Sequence, residues 1–283
     1  MERLKPFING KFVESKTDKY MPIYNPSTGE QIAETPCCTK EEVEAAIAAA
    51  KAAFPAWSDT PCAKRVEVLY RFRDLLIENM DELTYSVCRE NGKNWSEAKG
   101  DLLKVKEPVE VACGAPSLMM GESLMNVTSG FDSVLYRESI GVFAGIAPFN
   151  FPAMIPMGWM MPMCIATGNT LVLKAASMTP MTSLKLVALL HEAGLPDGVV
   201  NIVTCSRHEA ELFLTHPDVK GVTLVGSTKI GRHIYAIAAA NGKRVQALCE
   251  AKNHALVLED APIERRRTLY GVARSSSTGK YCG

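Results

Sequence analysis

The segment from Ile140 to Leu173 contains no charged residue, which leaves few ways to fold it. It is long enough to cross a bilayer. Four prolines, Pro148, Pro152, Pro156 and Pro162, interrupt it, and each removes a backbone donor where lipid offers no substitute. The stretch therefore reads as the buried centre of a globular protein, with no membrane span. β-rich runs stand at its two ends, Val142–Ala147 and Thr170–Lys174, and helical spacing covers Ala153–Ala166 between them.

The alternation continues on both sides. Strands are expected at Val134–Arg137, Val199–Val203, Val222–Val225 and Ala255–Leu258, and helices at Met181–Ala193 and Lys229–Ala240, the last closed by Asn241-Gly242. Near-continuously apolar strands alternating with helices predict an α/β fold, a doubly wound, Rossmann-like parallel sheet covered on both faces. Upstream of Ser133 the pattern is helical. Thr39-Lys-Glu-Glu42 is a capping box, and Val43, Ile47, Ala50 and Phe54 recur at helical spacing until Pro55. Thr60 and Pro61 open a second helix, whose apolar face (Val66, Leu69, Leu76, Leu83) runs to Gly92. A third is expected from Trp95 to about Met120, kinked or divided at Pro108.

Charge excludes several partners. Lys+Arg and Asp+Glu both total 31, so no global field recruits nucleic acid or acidic lipid. The 9 cysteines form neither a disulfide framework nor CxxC pairs, and the N-terminus has early charges and no signal-like apolar run. A reducing, cytoplasmic setting is expected. The sequons at Asn94 and Asn126 carry no weight in that setting.

Three motifs follow strand ends. Gly226-Ser-Thr-Lys-Ile-Gly231 comes directly after Val222–Val225 and opens a helix; it is either a plain strand-to-helix turn or a pyrophosphate cradle, with backbone N–H groups and the Ser227 hydroxyl at a helix N-terminus. Ala147-Pro-Phe-Asn-Phe-Pro152 fixes Asn150 between prolines, as a turn-forming asparagine or as an amide donor to a developing oxyanion. Lys174 ends its strand, where a parallel sheet carries ligand-binding residues, although a surface lysine is the alternative.

These motifs in this order, with Leu195-Pro-Asp-Gly-Val-Val-Asn-Ile-Val203 between them, resemble the aldehyde dehydrogenase superfamily. Gly145-Ile-Ala-Pro-Phe-Asn-Phe-Pro-Ala-Met-Ile-Pro156, His216-Pro-Asp-Val-Lys220 and Ala251-Lys-Asn-His254 are similar to its CoA-acylating, methylmalonate-semialdehyde dehydrogenase branch. The resemblance runs over residues 5 to 260. It implies that NAD is the cofactor, that Ala147 and Phe149 line its cleft, that Lys174 contacts the adenosine ribose, and that Gly226 and Ser227 meet the pyrophosphate. Asn150 becomes the oxyanion donor. A Gly-x-x-Cys pattern falls on Gly279-Lys-Tyr-Cys282, making Cys282 the nucleophile, which attacks the aldehyde as a thiolate. Leu248 stands where hydrolytic members have a glutamate base, so release of the acyl group to CoA is expected.

The resemblance is incomplete at defined positions. Ala175-Ala-Ser177 replaces a proline and a ribose-binding acid, so Ser177 is expected to make one hydrogen bond to the ribose. Gly158 reads as an insertion in its helix, able to shift Asn150. Glu250 is a conceivable substitute base. Lys104 and Tyr281 stand where carboxylate-binding arginines are expected, which weakens the case for a carboxylated substrate. Past Ile263 only Gly279 and Cys282 match clearly. The expected organisation is a cofactor-binding domain over residues 1–247, with a hairpin near 122–139 for homo-oligomer formation in a complete enzyme, followed at 248–283 by the start of an incomplete catalytic domain. The competing expectation is a non-catalytic nucleotide-binding or interaction fragment.

Overall fold

The computed structural model describes residues 2–250, 254, 256, 258–260 and 262. Its main sheet has seven strands, in the spatial order Arg244–Leu248, Val219–Val225, Val142–Ile146, Thr170–Lys174, Val200–Val203, Phe7–Ile8 and Lys11–Phe12. The first five run parallel. Phe7–Ile8 joins them antiparallel at Ile202, and Lys11–Phe12 pairs back on it as a hairpin. The doubly wound α/β reading of the sequence is what the chain adopts.

Period-two alternation along each strand builds a separate core on each face. Leu171, Leu173, Val200 and Ile202 point to one side, where they join apolar side chains of helices Cys62–Glu78, Trp95–Cys113, Met161–Ala166 and Met181–Glu192. Val142, Ala144, Val172, Val203, Val222 and Leu224 point to the other, against Lys40–Asp59, Leu212–Thr215 and Thr228–Ala240. The uncharged stretch of residues 140–173 is thus a strand, a helix and a second strand at the middle of the sheet. Among the described residues no helix is long and apolar enough to cross a membrane.

Chain order sets where a ligand can sit. From Val142–Ile146 the chain goes first to Thr170–Lys174 and Val200–Val203 on one side, then crosses back to Val219–Val225 and Arg244–Leu248 on the other. Connections leaving the central strand pair in opposite directions open a crevice beyond the C-terminal ends of Val142–Ile146 and Val219–Val225.

Several expected elements differ from those observed. The first third is not only helical: short strands, among them Tyr20–Tyr24 and Gln31–Pro36, precede the first helix. That helix does have the Thr39–Glu42 capping box, but it continues through Pro55 to Asp59. The reason is tertiary. Trp57 is buried and its Nε1 donates to Ile165 O at 3.0 Å, which holds the turn that the proline weakens. Thr60 closes the first helix as its C-cap instead of opening the second: its amide and hydroxyl both donate back to Ala56 O, and the next helix begins at Cys62. That helix breaks at Asn79 and resumes as Met80–Asn91, closed by Gly92 at φ +82°. Pro108 leaves Trp95–Cys113 undivided, with Val109 and Ala112 still in the core.

The strand expected at Val134–Arg137 is instead Phe131–Val134, the second arm of an exposed hairpin with Ser123–Thr128. Arg244–Leu248, not expected as a strand, extends the sheet beside Val219–Val225. The strand expected at Ala255–Leu258 lies partly outside the described residues. Gly158 falls in a π-helix, Met154–Met160, ahead of the α-helix Met161–Ala166. A π-turn holds one residue more than an α-turn, so the extra glycine is taken up inside the helix. A Cβ at 158 would stand 2.8 Å from Lys104 O and 3.1 Å from Val105 Cα, and glycine alone lets the two helices approach this closely.

Candidate functional site

Strand register brings the motifs to one level. Ile146 pairs with both Lys174 and Leu224, and Val225 pairs with Leu248. The ladder extends one bond further at each end: Ala147 N–H donates to Lys174 O and Gly226 N–H to Leu248 O, both at 3.1 Å. Ala147, Lys174 and Gly226 therefore surround the crevice at the strand ends. Ser177 lies in the turn after Lys174, where Thr179 N–H donates to Ala176 O.

The Gly226 turn opens helix Thr228–Ala240. Ser227 is the N-cap of Thr228–Ala240, yet its hydroxyl makes no capping bond. The Thr228 amide faces a carboxylate oxygen of Glu250 at 3.4 Å, so an anionic oxygen already stands at this helix N-terminus, as the helix dipole favours. Cys249 Sγ packs so closely on Gly231 that a Cβ there would overlap it.

Between helix Thr228–Ala240 and the short turns 207–215 is a cavity of about 200 Å³. Ile146, Ala210, Leu214, Ile230 and Ile234 give it apolar walls. Lys174, Arg207, Glu211 and His233 form its polar rim, and His233 Nε2 meets Glu211 Oε1 at 2.7 Å.

The loop carrying Phe149 and Asn150 is braced from behind. Phe149 O accepts from Asn91 Nδ2 at 3.0 Å and from Thr179 Oγ1 at 3.1 Å, and Pro152 O accepts from Ser183 Oγ at 2.7 Å. Lys93 stands 3.9 Å over the Phe151 ring and makes a 2.8 Å ion pair with Asp101, both side chains being buried. The other Asp101 oxygen accepts from Met154 N–H at 2.8 Å. Burial pushes the Asp101 carboxyl above the usual carboxylate range, and Lys93 and the Met154 amide only partly offset it. Asn150 Oδ1 is buried without a hydrogen-bond partner among the described residues. A turn-forming asparagine would use that oxygen, so the geometry weighs against the purely structural alternative.

Cys282, Gly279 and Tyr281 lie outside the described residues. Of the cysteines that are described, burial pushes Cys38 and Cys205 up to about 12 and raises Cys164 as well. None of the three is a ready nucleophile. Cys249 is exposed. Brief treatment of the native chain with iodoacetamide near pH 8, followed by peptide mass spectrometry, should modify Cys249 and leave Cys38, Cys164 and Cys205 intact. Rapid native labelling of either Cys38 or Cys205 would contradict their placement.

Asn91, Lys93, Asp101, Thr179, Ser183, Arg207 and His233 were not marked out by sequence. They lie in helices and turns with no motif of their own, and only Pro-Phe-Asn-Phe-Pro marked the loop that five of them brace or surround. No cluster able to hold a metal ion occurs among the described residues.

Comparison with known proteins shows the family and the fold. The model of the "Aldehyde dehydrogenase family" matches residues 12–283. Malonate-semialdehyde dehydrogenase 1 of Geobacillus thermodenitrificans is 48% identical over 282 residues, covering 100% of this chain and 58% of the relative. Methylmalonate-semialdehyde dehydrogenase of Oceanimonas doudoroffii superposes with a TM-score of 0.91 at 44% identity, over 96% of this chain and 56% of that one. A protein of Sinorhizobium meliloti 1021, described as a methylmalonate-semialdehyde dehydrogenase and solved with NAD, gives 0.91 at 40% identity, over 96% and 55%. The chain thus spans little more than half the length of these relatives. It belongs to the aldehyde dehydrogenase family.

Proposed function

We propose that these residues form the dinucleotide-binding part of a semialdehyde dehydrogenase that acts through a cysteine thioester and transfers its acyl group to CoA. The observation that carries this reading is the convergence of Ala147–Asn150, Lys174 and Gly226–Ser227 on one crevice at the topological switch point. The residues present fit a nicotinamide adenine dinucleotide. The apolar cavity beside Ile230 and Ile234 takes the adenine, Lys174 and Ser177 face the ribose, and the Gly226–Ser227 turn takes the pyrophosphate. Ala147 and Phe149 line the path toward Asn150. When bound, NAD supplies the hydride acceptor for aldehyde oxidation.

Cys282 adds to the aldehyde carbonyl, and Asn150 Nδ2 donates to the oxygen that becomes negative. Loss of the hydride from this alkoxide, which the oxidised dinucleotide would take up, leaves a thioester on Cys282. The sulfur of CoA then displaces Cys282 and carries off the acyl group. Leu248 ends its strand where it can activate no water, which favours this acyl acceptor over hydrolysis. We place the boundary between the cofactor-binding and catalytic parts at 247/248, at the close of the last described strand. The hairpin of residues 123–134 presents Leu124, Met125, Val127 and Phe131 to solvent; we assign it to homo-oligomer assembly in a protein of the cytoplasm, without nucleic acid or membrane partners.

Cofactor binding and catalysis separate experimentally. Titration calorimetry of this chain should detect a dinucleotide, whereas NADH formation with propanal, CoA and NAD should stay at background. This chain spans 58% of the length of the Geobacillus thermodenitrificans relative, and catalytic groups must be held to about 0.5 Å. Clear turnover would refute the second expectation, and absence of any dinucleotide binding would refute the first.

A further inference from the structure

We infer that Glu250 is an internal competitor for the turn at Gly226–Ser227: its carboxylate holds the helix start that a pyrophosphate would take, and a dinucleotide binds by displacing it. This rests on the dinucleotide reading above and adds how that site is restrained from within the chain.

The placement follows from the end of the last described strand. Val225 pairs with Leu248, and Gly226 N–H donates to Leu248 O at 3.1 Å, so strand Arg244–Leu248 ends level with the turn. The next two residues meet helix Thr228–Ala240. Cys249 Sγ packs on Gly231, in the first turn of that helix, where a Cβ would overlap it. Glu250 then presents its carboxylate to the Thr228 amide at 3.4 Å.

The helix has no such charge of its own. Its first turn contains no acid, and Ser227, at the N-cap, makes no side-chain capping bond. The opening amides of a helix and the positive end of its dipole favour an anionic acceptor, and Glu250, 22 residues further along the chain, supplies one. A phosphate uses the same amides for the same reason. One N–H group cannot serve both acceptors fully, and two anions brought to one helix start repel each other. Glu250 is exposed, so water solvates its carboxylate once it is displaced. The competition is therefore reversible, and it weakens binding by the fraction of the time that Glu250 occupies the turn.

The test is calorimetric titration of the 283-residue chain and of Glu250→Ala and Glu250→Gln with NAD, ADP and adenosine. Glu250→Ala is expected to tighten NAD and ADP by about tenfold, since both the competing acceptor and its charge are gone. Glu250→Gln keeps an acceptor and loses only the charge, so its gain should be smaller. Adenosine carries no phosphate and should bind all three chains alike. Circular dichroism melts establish that both variants are folded. Unchanged or weaker NAD binding by the two folded variants overturns the competitor role and leaves the dinucleotide site standing. An equal gain for adenosine also overturns it, because the substitution would then have opened the whole cleft. Binding of none of the ligands by any of the three chains overturns both readings.

Discussion

Asp101→Ala should destabilise the chain by about 3–5 kcal/mol, because it strands the ammonium of Lys93 in the protein interior without its counter-charge. Both side chains are almost wholly inaccessible, at 1% and 0% exposure, and lie 2.8 Å apart. The substitution also orphans the Met154 amide, which Asp101 holds at 2.8 Å. For a chain of this size the melting temperature should fall by on the order of 10 °C. Lys93→Met with Asp101→Leu together should cost less than Asp101→Ala alone, since two neutral side chains leave no buried charge. Thermal unfolding followed by circular dichroism decides the matter. A loss below about 1 kcal/mol for Asp101→Ala would mean that water reaches the pair and that it does not brace the loop of Phe149–Pro152.

A comparable loss, about 2–5 kcal/mol, is expected for Glu90→Ala. The Glu90 carboxylate is fully buried and accepts from the amides of Met181 and Thr182 at 2.7 and 2.8 Å, at the start of helix Met181–Glu192. It is that helix's N-cap in all but sequence position, and its charge complements the positive end of the helix dipole. Alanine leaves two buried donors unsatisfied, each costing about 1–3 kcal/mol. Glu90→Gln keeps one carbonyl acceptor and should lose roughly half as much. The effect should reach the candidate site, because Thr179 and Ser183 at the same helix start hold Phe149 O and Pro152 O. Amide exchange over residues 149–154 should therefore accelerate in Glu90→Ala, and unchanged exchange there would disconnect the helix from the loop.

These two carboxylates show why some of the site was legible and some was not. Asn150, Lys174 and Gly226 announce themselves because prolines, strand ends and a glycine turn are local signals. Sequence separation hides the supports. Glu90 and Thr182 are 92 residues apart, and Met154 and Asp101 are 53 apart, so no window along the chain contains both partners. Asp101 sits in a helix with Lys99, Lys104 and Lys106 close by, and on paper it reads as one more solvated charge. Arg207 was missed for the same reason: it lines, with Lys174, a cavity whose residues come from four separate segments.

Helix boundaries divide along the same line. Capping at Thr39–Glu42 and the left-handed Gly92 stop are local chemistry, and both form as the residues dictate. Continuation through Pro55 depends on Trp57 docking at Ile165, more than a hundred residues away. The π-turn around Gly158 depends on the backbone of Lys104 and Val105 pressing on it.

The amino-acid order by itself therefore determined the class of fold, the main strands and helices between residues 140 and 240, and the family to which the chain belongs, because hydrophobic period and turn chemistry are properties of contiguous residues. The tertiary structure alone decided which buried charges brace the Asn150 loop, that the N-terminal residues 7–12 complete the sheet, and that Lys174, Arg207, Glu211 and His233 line one cavity. Those are statements about distance through space, and burial and electrostatic pairing depend on that distance whatever the separation along the chain.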